Sequence, residues 1–274
     1  MLRYVELAIG VALGALLVRE RQARKRAERY AAAGLESLLR AIDANDPQTG
    51  AHVRRVATYA LIIADELGID GYERRIVELT ALFHDIGKIH EALFDVVHEP
   101  RKLTPSERRA IHTHPARGAD VLAPIAQFHP KLAHAVLAHH EHWNGQGYPR
   151  QLKHRRIPIA ARIVAIADTF DVITYGRRYR GSRSADDAVR VLAEGRESQF
   201  DPELVDLVLL PPVLERITAA MEKAHRFRET GVPSRSPRSE GGKAPKIRIR
   251  WQTRTDPPAA VRTELRRQRA STLT

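Results

Sequence analysis

The sequence contains no cysteine in its 274 residues. Disulfides and thiolate metal sites are therefore excluded, and any metal must be held by His, Asp or Glu. A chain without cysteine also fits a cytoplasmic setting. There is no apolar run of full membrane-spanning length. The longest, residues 2–18, falls short of the roughly 20 residues a spanning helix needs, and it contains Arg3 and Glu6. Its positive charges follow the apolar run rather than precede it, the wrong order for a cleaved secretory signal. The same order suits a short anchor on the inner face of the cytoplasmic membrane, with Arg19, Arg21, Arg24, Lys25 and Arg26 as its basic flank. A buried or dimerising helix is the alternative. No convincing run of alternating strand residues and no internal repeat is present, which leaves an all-α chain as the expectation.

What the sequence does have is a formal net charge of +12. Residues 231–274 hold eleven Lys/Arg against Glu240, Asp256 and Glu264, a net of +8, so most of the excess lies in the tail. The tail is rich in Ser, Pro, Gly and Arg from about residue 229, the composition of a disordered segment. Residues 246–251 (KIRIRW) offer a short strand or an adhesive patch for acidic surfaces, but a solvated tail is the favoured reading, and nucleic acid is not an expected partner. Histidine is distributed in the opposite way: twelve of the 13 lie between His52 and His154. A cluster that dense, with carboxylates nearby, points to metal chemistry.

Helical spacing runs through the middle of the chain. Residues 19–34 read as a polar helical linker, and the main domain as residues 35–228. Val53, Val56, Ala60, Ile63, Ala64 and Leu67 recur on one face, and Gly68 stops that helix. Further helices are expected over 73–89, from Pro105, from Pro115, and over 130–141, 159–175, 185–194 and 202–210. Residues 160–167 are apolar enough for a buried strand, but their length and alanine content favour helix.

Four segments carry chemistry. His84-Asp85-Ile86-Gly87-Lys88 sets an imidazole beside a carboxylate, a donor pair for a hard or borderline divalent ion, with Lys88 four residues on to meet a phosphate oxygen. His139-His140-Glu141-His142-Trp143-Asn144-Gly145-Gln146-Gly147-Tyr148-Pro149 joins two helix-ending histidines to a glycine-bearing loop that can approach a ligand closely. Asp168 and Asp171 stand three apart and so face one direction on a helix, behind the apolar residues 163–167. His52 and His114 are scattered, and each alone reads as an ordinary structural or surface histidine.

Taken together, HDIGK, then His114-Pro115, then HHExxxGxGYP, then DxxD, then Phe200-Asp201-Pro202, the chain resembles the HD-GYP family of the HD phosphohydrolase superfamily. The resemblance implies a helical phosphodiesterase that holds two or three metal ions and opens cyclic di-GMP to pGpG, in some members onward to GMP. It implies His84, Asp85, His114, His139, His140 and Asp168 as metal ligands, with His52 as a further one and Asp85 bridging. It places Lys88 and Arg177 on phosphate, Tyr148 and Gly147 at the pocket wall, and Asp171 or Lys88 as proton donor to the leaving oxygen. Nitrogen and oxygen ligands without sulfur favour iron or manganese.

The sequence departs from the family pattern at several points. Gln48 stands four residues before His52, where three-metal members carry a glutamate, so two ions are expected. Asn144 replaces a frequent aspartate outside the ligand set, and the segment after Lys88 differs from the usual apolar loop, which leaves the choice of cyclic dinucleotide open. No Pro follows Arg177. The competing readings are a catalytically weak cyclic-dinucleotide-binding or scaffold module and a phosphohydrolase of another nucleotide. A homodimer and other signalling proteins remain open as partners.

Overall fold

The computed structural model of the chain describes residues 2–89, 104–175 and 184–229. Arg177, the segment that follows Ile89, and the basic tail lie outside the described residues. Ten α-helices are formed there: α1 (Leu2–Asn45), α2 (Pro47–Glu66), α3 (Gly71–Phe83), α4 (Pro105–Ile111), α5 (His114–Leu122), α6 (Leu132–Leu137), α7 (Ile159–Tyr175), α8 (Ala185–Glu194), α9 (Pro202–Val208) and α10 (Pro211–Glu229). No strand is formed among the described residues, and residues 160–167 are helix within α7. The chain is all-α, as its spacing predicts.

Helix α2 is the central post. Asp46 caps it by accepting from the Gln48 N–H, and Pro47 takes the first position, where a missing N–H costs nothing. Gly68, at φ +66°, turns the chain out of the helix in a conformation that favours glycine. Between these ends Val53, Val56, Tyr59, Ala60 and Ile63 are fully buried against α3, α7, α1 and α10. Full burial of such a side chain contributes about 1.5–3 kcal/mol, so this one face outweighs any helix propensity in setting where α2 lies. Phe83 of α3, Phe170 of α7 and Phe200 before α9 complete the centre of the core.

The apolar N-terminal segment and the polar linker are one continuous helix, because no proline interrupts residues 2–45. Helix α1 joins the core from Ala31 onward, through Ala31, Ala32, Leu35 and Ile42, while Leu13, Leu16, Leu17 and Val18 are exposed. No helix among the described residues is long and apolar enough to cross a membrane. A membrane anchor at residues 2–18 therefore finds no support. Seventeen residues rise about 26 Å as a helix, short of the ~30 Å hydrocarbon core.

Two expected helices are shorter in the structure. The one expected over 73–89 ends at Phe83, and a 3₁₀ turn follows at Ile86–Ile89. The one expected over 130–141 spans only Leu132–Leu137. The cause is the same in both. His84 Nδ1 takes the Ala81 carbonyl at 2.9 Å, and His139 Nδ1 takes the Val136 carbonyl at 2.6 Å. Each of these carbonyls would have accepted the next main-chain N–H of a longer helix.

Candidate metal centre

Three histidines are oriented in the same way. His84 caps the end of α3, His114 opens α5 and His139 lies two residues past α6, and each directs Nδ1 to the carbonyl three residues back, Ile111 at 2.6 Å in the case of His114. A ring nitrogen facing a carbonyl must be the donor, so each Nδ1 carries the proton and each Nε2 is left with a bare lone pair. The three Nε2 atoms point into one buried space. His84 and His114 are fully buried and His139 nearly so.

That space fits a cation. His114 Nε2 and His139 Nε2 lie 3.2 Å apart with no proton to share between them. His84 Nε2 is buried without a hydrogen-bond partner. Burial, with the positive charge of Lys88 beside it, pushes the His114 imidazole down to about 4 and that of His140 down to about 3. Burial also drives His139 well below the ordinary histidine value, with the neighbouring imidazoles adding to it. The rings therefore stay neutral, as metal ligands must be. Two groups of side chains could each hold a metal ion: Asp85, His114, His139 and His140, and His52, His84 and Asp85, their donor atoms within 4.8 Å of one another. Asp85 belongs to both. Burial would raise its carboxyl, but Lys88 first and then His84 and His114 outweigh that and hold it well below the usual carboxylate range. Lys88 Nζ sits 2.7 Å from the Asp85 carboxylate.

The second side of the centre is built by α2 against α7. His52 and Arg55 are three apart on one helix, Asp168 and Asp171 three apart on the other, and the packing brings the two pairs together. His52 Nδ1 is 2.7 Å from Asp171, and its Nε2 is 3.2 Å from Asp168. Burial lowers the His52 imidazole, but the hydrogen bonds to Asp168 and Asp171 outweigh it and raise it to about 9. Asp168 is held below the usual range by the His52 hydrogen bond and by His84, against a burial effect of opposite sign, and its carboxylate also lies 3.8 Å from His84 Nε2. Asp171 is 1% exposed, and Arg55 grips both of its oxygens at 2.7 and 2.8 Å.

The loop after His140 folds back onto the centre. The Tyr148 N–H donates to the His140 carbonyl at 3.1 Å, and the Tyr148 ring stacks on His140 with centroids 4.9 Å apart. Gly147 makes this possible: a Cβ there would meet the main-chain N of His142 at 2.2 Å and O of His140 at 2.5 Å. Buried Glu141 accepts from the Arg150 and Leu152 N–H groups and so fastens the far end of the loop.

A family model described as an HD domain matches residues 36–204. The chain belongs to the HD-domain family. His84 and Asp85, adjacent in the chain, lie within that match, just past the last residue of α3. The chain is 39% identical over 177 residues to the cyclic di-GMP phosphodiesterase response regulator RpfG of Xanthomonas campestris pv. campestris, covering 64% of this chain and 46% of that protein. It is 37% identical over 164 residues to 3'3'-cGAMP-specific phosphodiesterase 3 of Vibrio cholerae serotype O1, covering 59% and 35%. It is 35% identical over 180 residues to a cyclic di-GMP phosphodiesterase of Thermotoga maritima, covering 64% and 48%. The chain thus matches less than half the length of each of these relatives.

Of the residues singled out in the sequence, the HD-domain fold brings His52, His84, Asp85, Lys88, His114, His139, His140 and Asp168 into one centre, with Asp171 behind His52 and with Tyr148 and Gly147 in the loop beside it. Arg177 lies outside the described residues. Sequence reasoning missed Arg55, whose guanidinium also lies 3.4 Å from the centre of the Tyr175 ring. Its spacing of three from His52 was the available signal. It missed Glu141 as a loop anchor and His112 as a ring stacked on Tyr148.

Proposed function

We propose that this chain is a metal-dependent phosphodiesterase that hydrolyses cyclic di-GMP to pGpG. The observation that carries the reading is the convergence of two donor groups on one shared carboxylate, Asp85, beside a lysine. Two divalent ions, iron or manganese, suit this donor set, one held by Asp85, His114, His139 and His140 and the other by His52, His84, Asp85 and Asp168. When bound, such a pair supplies Lewis-acid polarisation of a phosphoryl oxygen and lowers the pKa of a water.

The chain's own residues do the rest. Lys88, beside Asp85, would direct its ammonium to a phosphoryl oxygen and oppose the charge that builds there. It is also the proton donor for the leaving oxygen, since both oxygens of Asp171 are engaged by Arg55 and His52. Asp171 instead orients His52. Tyr148 and Gly147 wall the pocket, and Arg177 joins Lys88 on phosphate. Similarity to relatives named for cyclic di-GMP supports the substrate. Relatives named for 3'3'-cGAMP, at 37% and 34% identity, support that mixed dinucleotide as a second candidate.

The test is to load the full chain anaerobically with iron or manganese and follow both dinucleotides by chromatography beside Asp85→Ala. Linear product that is lost in the variant supports the reading. Two bound ions without turnover of either dinucleotide would move the substrate elsewhere, and no bound metal would leave a binding or scaffold module.

A further inference from the structure

His112 belongs neither to the donor groups nor to any step above, yet its placement is specific. Its ring lies face to face with that of Tyr148, centroids 4.0 Å apart and planes 11° apart. Tyr148 stacks in turn on His140 at 26°. With both histidines stacked on Tyr148, His140, Tyr148 and His112 form a continuous stack that runs from the donor group of Asp85 out to an exposed imidazole. The main chain of Tyr148 and that of His112 are both tied down. The Tyr148 N–H is bonded to His140, and the His112 N–H donates to the Arg108 carbonyl at 3.1 Å where His112 caps α4. His114 follows only two residues later, so the distance from column to metal centre is set by rigid elements rather than by a free loop.

A flat ring that is pinned by stacking and exposed on the outside is well suited to another flat ring. Base stacking on such platforms tolerates any base, because every base has a π-face, and it adds affinity without touching the reacting phosphorus. We infer that His112 is a specificity-determining residue, the outer plate of a stacking platform on which one nucleobase of the dinucleotide rests while its phosphodiester reaches the metal centre. This rests on the proposed phosphodiesterase reading.

The experiment compares His112→Ala and His112→Trp with the unaltered full chain, metal-loaded, on two substrates: cyclic di-GMP, and methyl 2,2,2-trifluoroethyl phosphate, which has a phosphodiester but no base or other flat ring. In His112→Ala, KM for cyclic di-GMP rises about tenfold with kcat nearly kept, a change of the size that loss of one stacked base produces. Hydrolysis of the small ester is unchanged, and His112→Trp restores KM. An unchanged KM for cyclic di-GMP, or an equal loss on both substrates, overturns the platform while leaving the phosphodiesterase reading standing. Failure of the unaltered chain to cleave either substrate overturns both.

Discussion

His114 and His139 present their Nε2 atoms to each other at 3.2 Å, although each Nδ1–H is already given to a main-chain carbonyl. Two bare lone pairs at that distance repel, and a cation between them removes the repulsion. Adding manganese to metal-free protein is therefore expected to raise Tm, by the equivalent of about 4 kcal/mol at a thousandfold excess over Kd, and a chelator should reverse it. His139→Ala should lose most of the gain. Thermal unfolding with and without metal checks this, and a Tm indifferent to metal would contradict it.

The pH dependence of the metal-free protein follows from the same burial. His114 and His140 titrate near 4 and 3 in the folded state, below the unfolded value of 6.5. As pH falls below 6.5 the unfolded chain takes up protons first, so stability declines towards pH 4, by on the order of a few kcal/mol per group. His52, raised to about 9, acts with the opposite sign: its contribution is complete below 6.5 and is lost as pH rises through 9. Urea midpoints between pH 4 and pH 10 should pass through a maximum near neutrality. His52→Gln should flatten the alkaline limb alone.

Arg55 is predicted to be the most sensitive residue behind the centre. Arg55→Met leaves the Asp171 carboxylate buried without its guanidinium, a loss that commonly costs about 3–5 kcal/mol. Arg55→Lys keeps the charge but cannot make the two-pronged contact, and should fall between. Denaturant unfolding gives the order. Equal stability of Arg55→Met and the parent chain would remove the assigned role.

Lys88→Met is expected to lower kcat about a hundredfold, the usual cost of removing one charge-stabilising donor, while metal content per chain is retained. Metal analysis beside turnover separates the two. Loss of metal together with activity would make Lys88 structural rather than catalytic.

Gly87→Ala tests the seam between the His84-Asp85 pair and α5. A Cβ at Gly87 would meet the His114 carbonyl at 2.1 Å and the Gly118 N at 2.7 Å, both main chain. The 3₁₀ turn and α5 must part, which should cost about 1–3 kcal/mol and displace His114. Stability and manganese affinity should fall together in calorimetry. If only stability fell, His114 would not depend on this contact.

Much of this protein was determined by its sequence alone. The recurrence of Val53, Val56, Ala60 and Ile63 at helical spacing, and the stop at Gly68, dictate α2, because local periodicity and a single left-handed residue suffice. The histidine and aspartate motifs were legible for a related reason: donor types can be read as letters before any distance is known. Tertiary structure alone decided how those donors meet. That His84, His114 and His139 each bond a carbonyl three residues back depends on competition between side chain and main chain, which periodicity does not register. That Arg55 reaches Asp171, 116 residues away, and that His112 stacks on Tyr148 depend on α2 packing against α7 and on the loop after His140 folding back over the end of α4. Such contacts are set by the burial of whole faces, and no local pattern encodes which faces will meet.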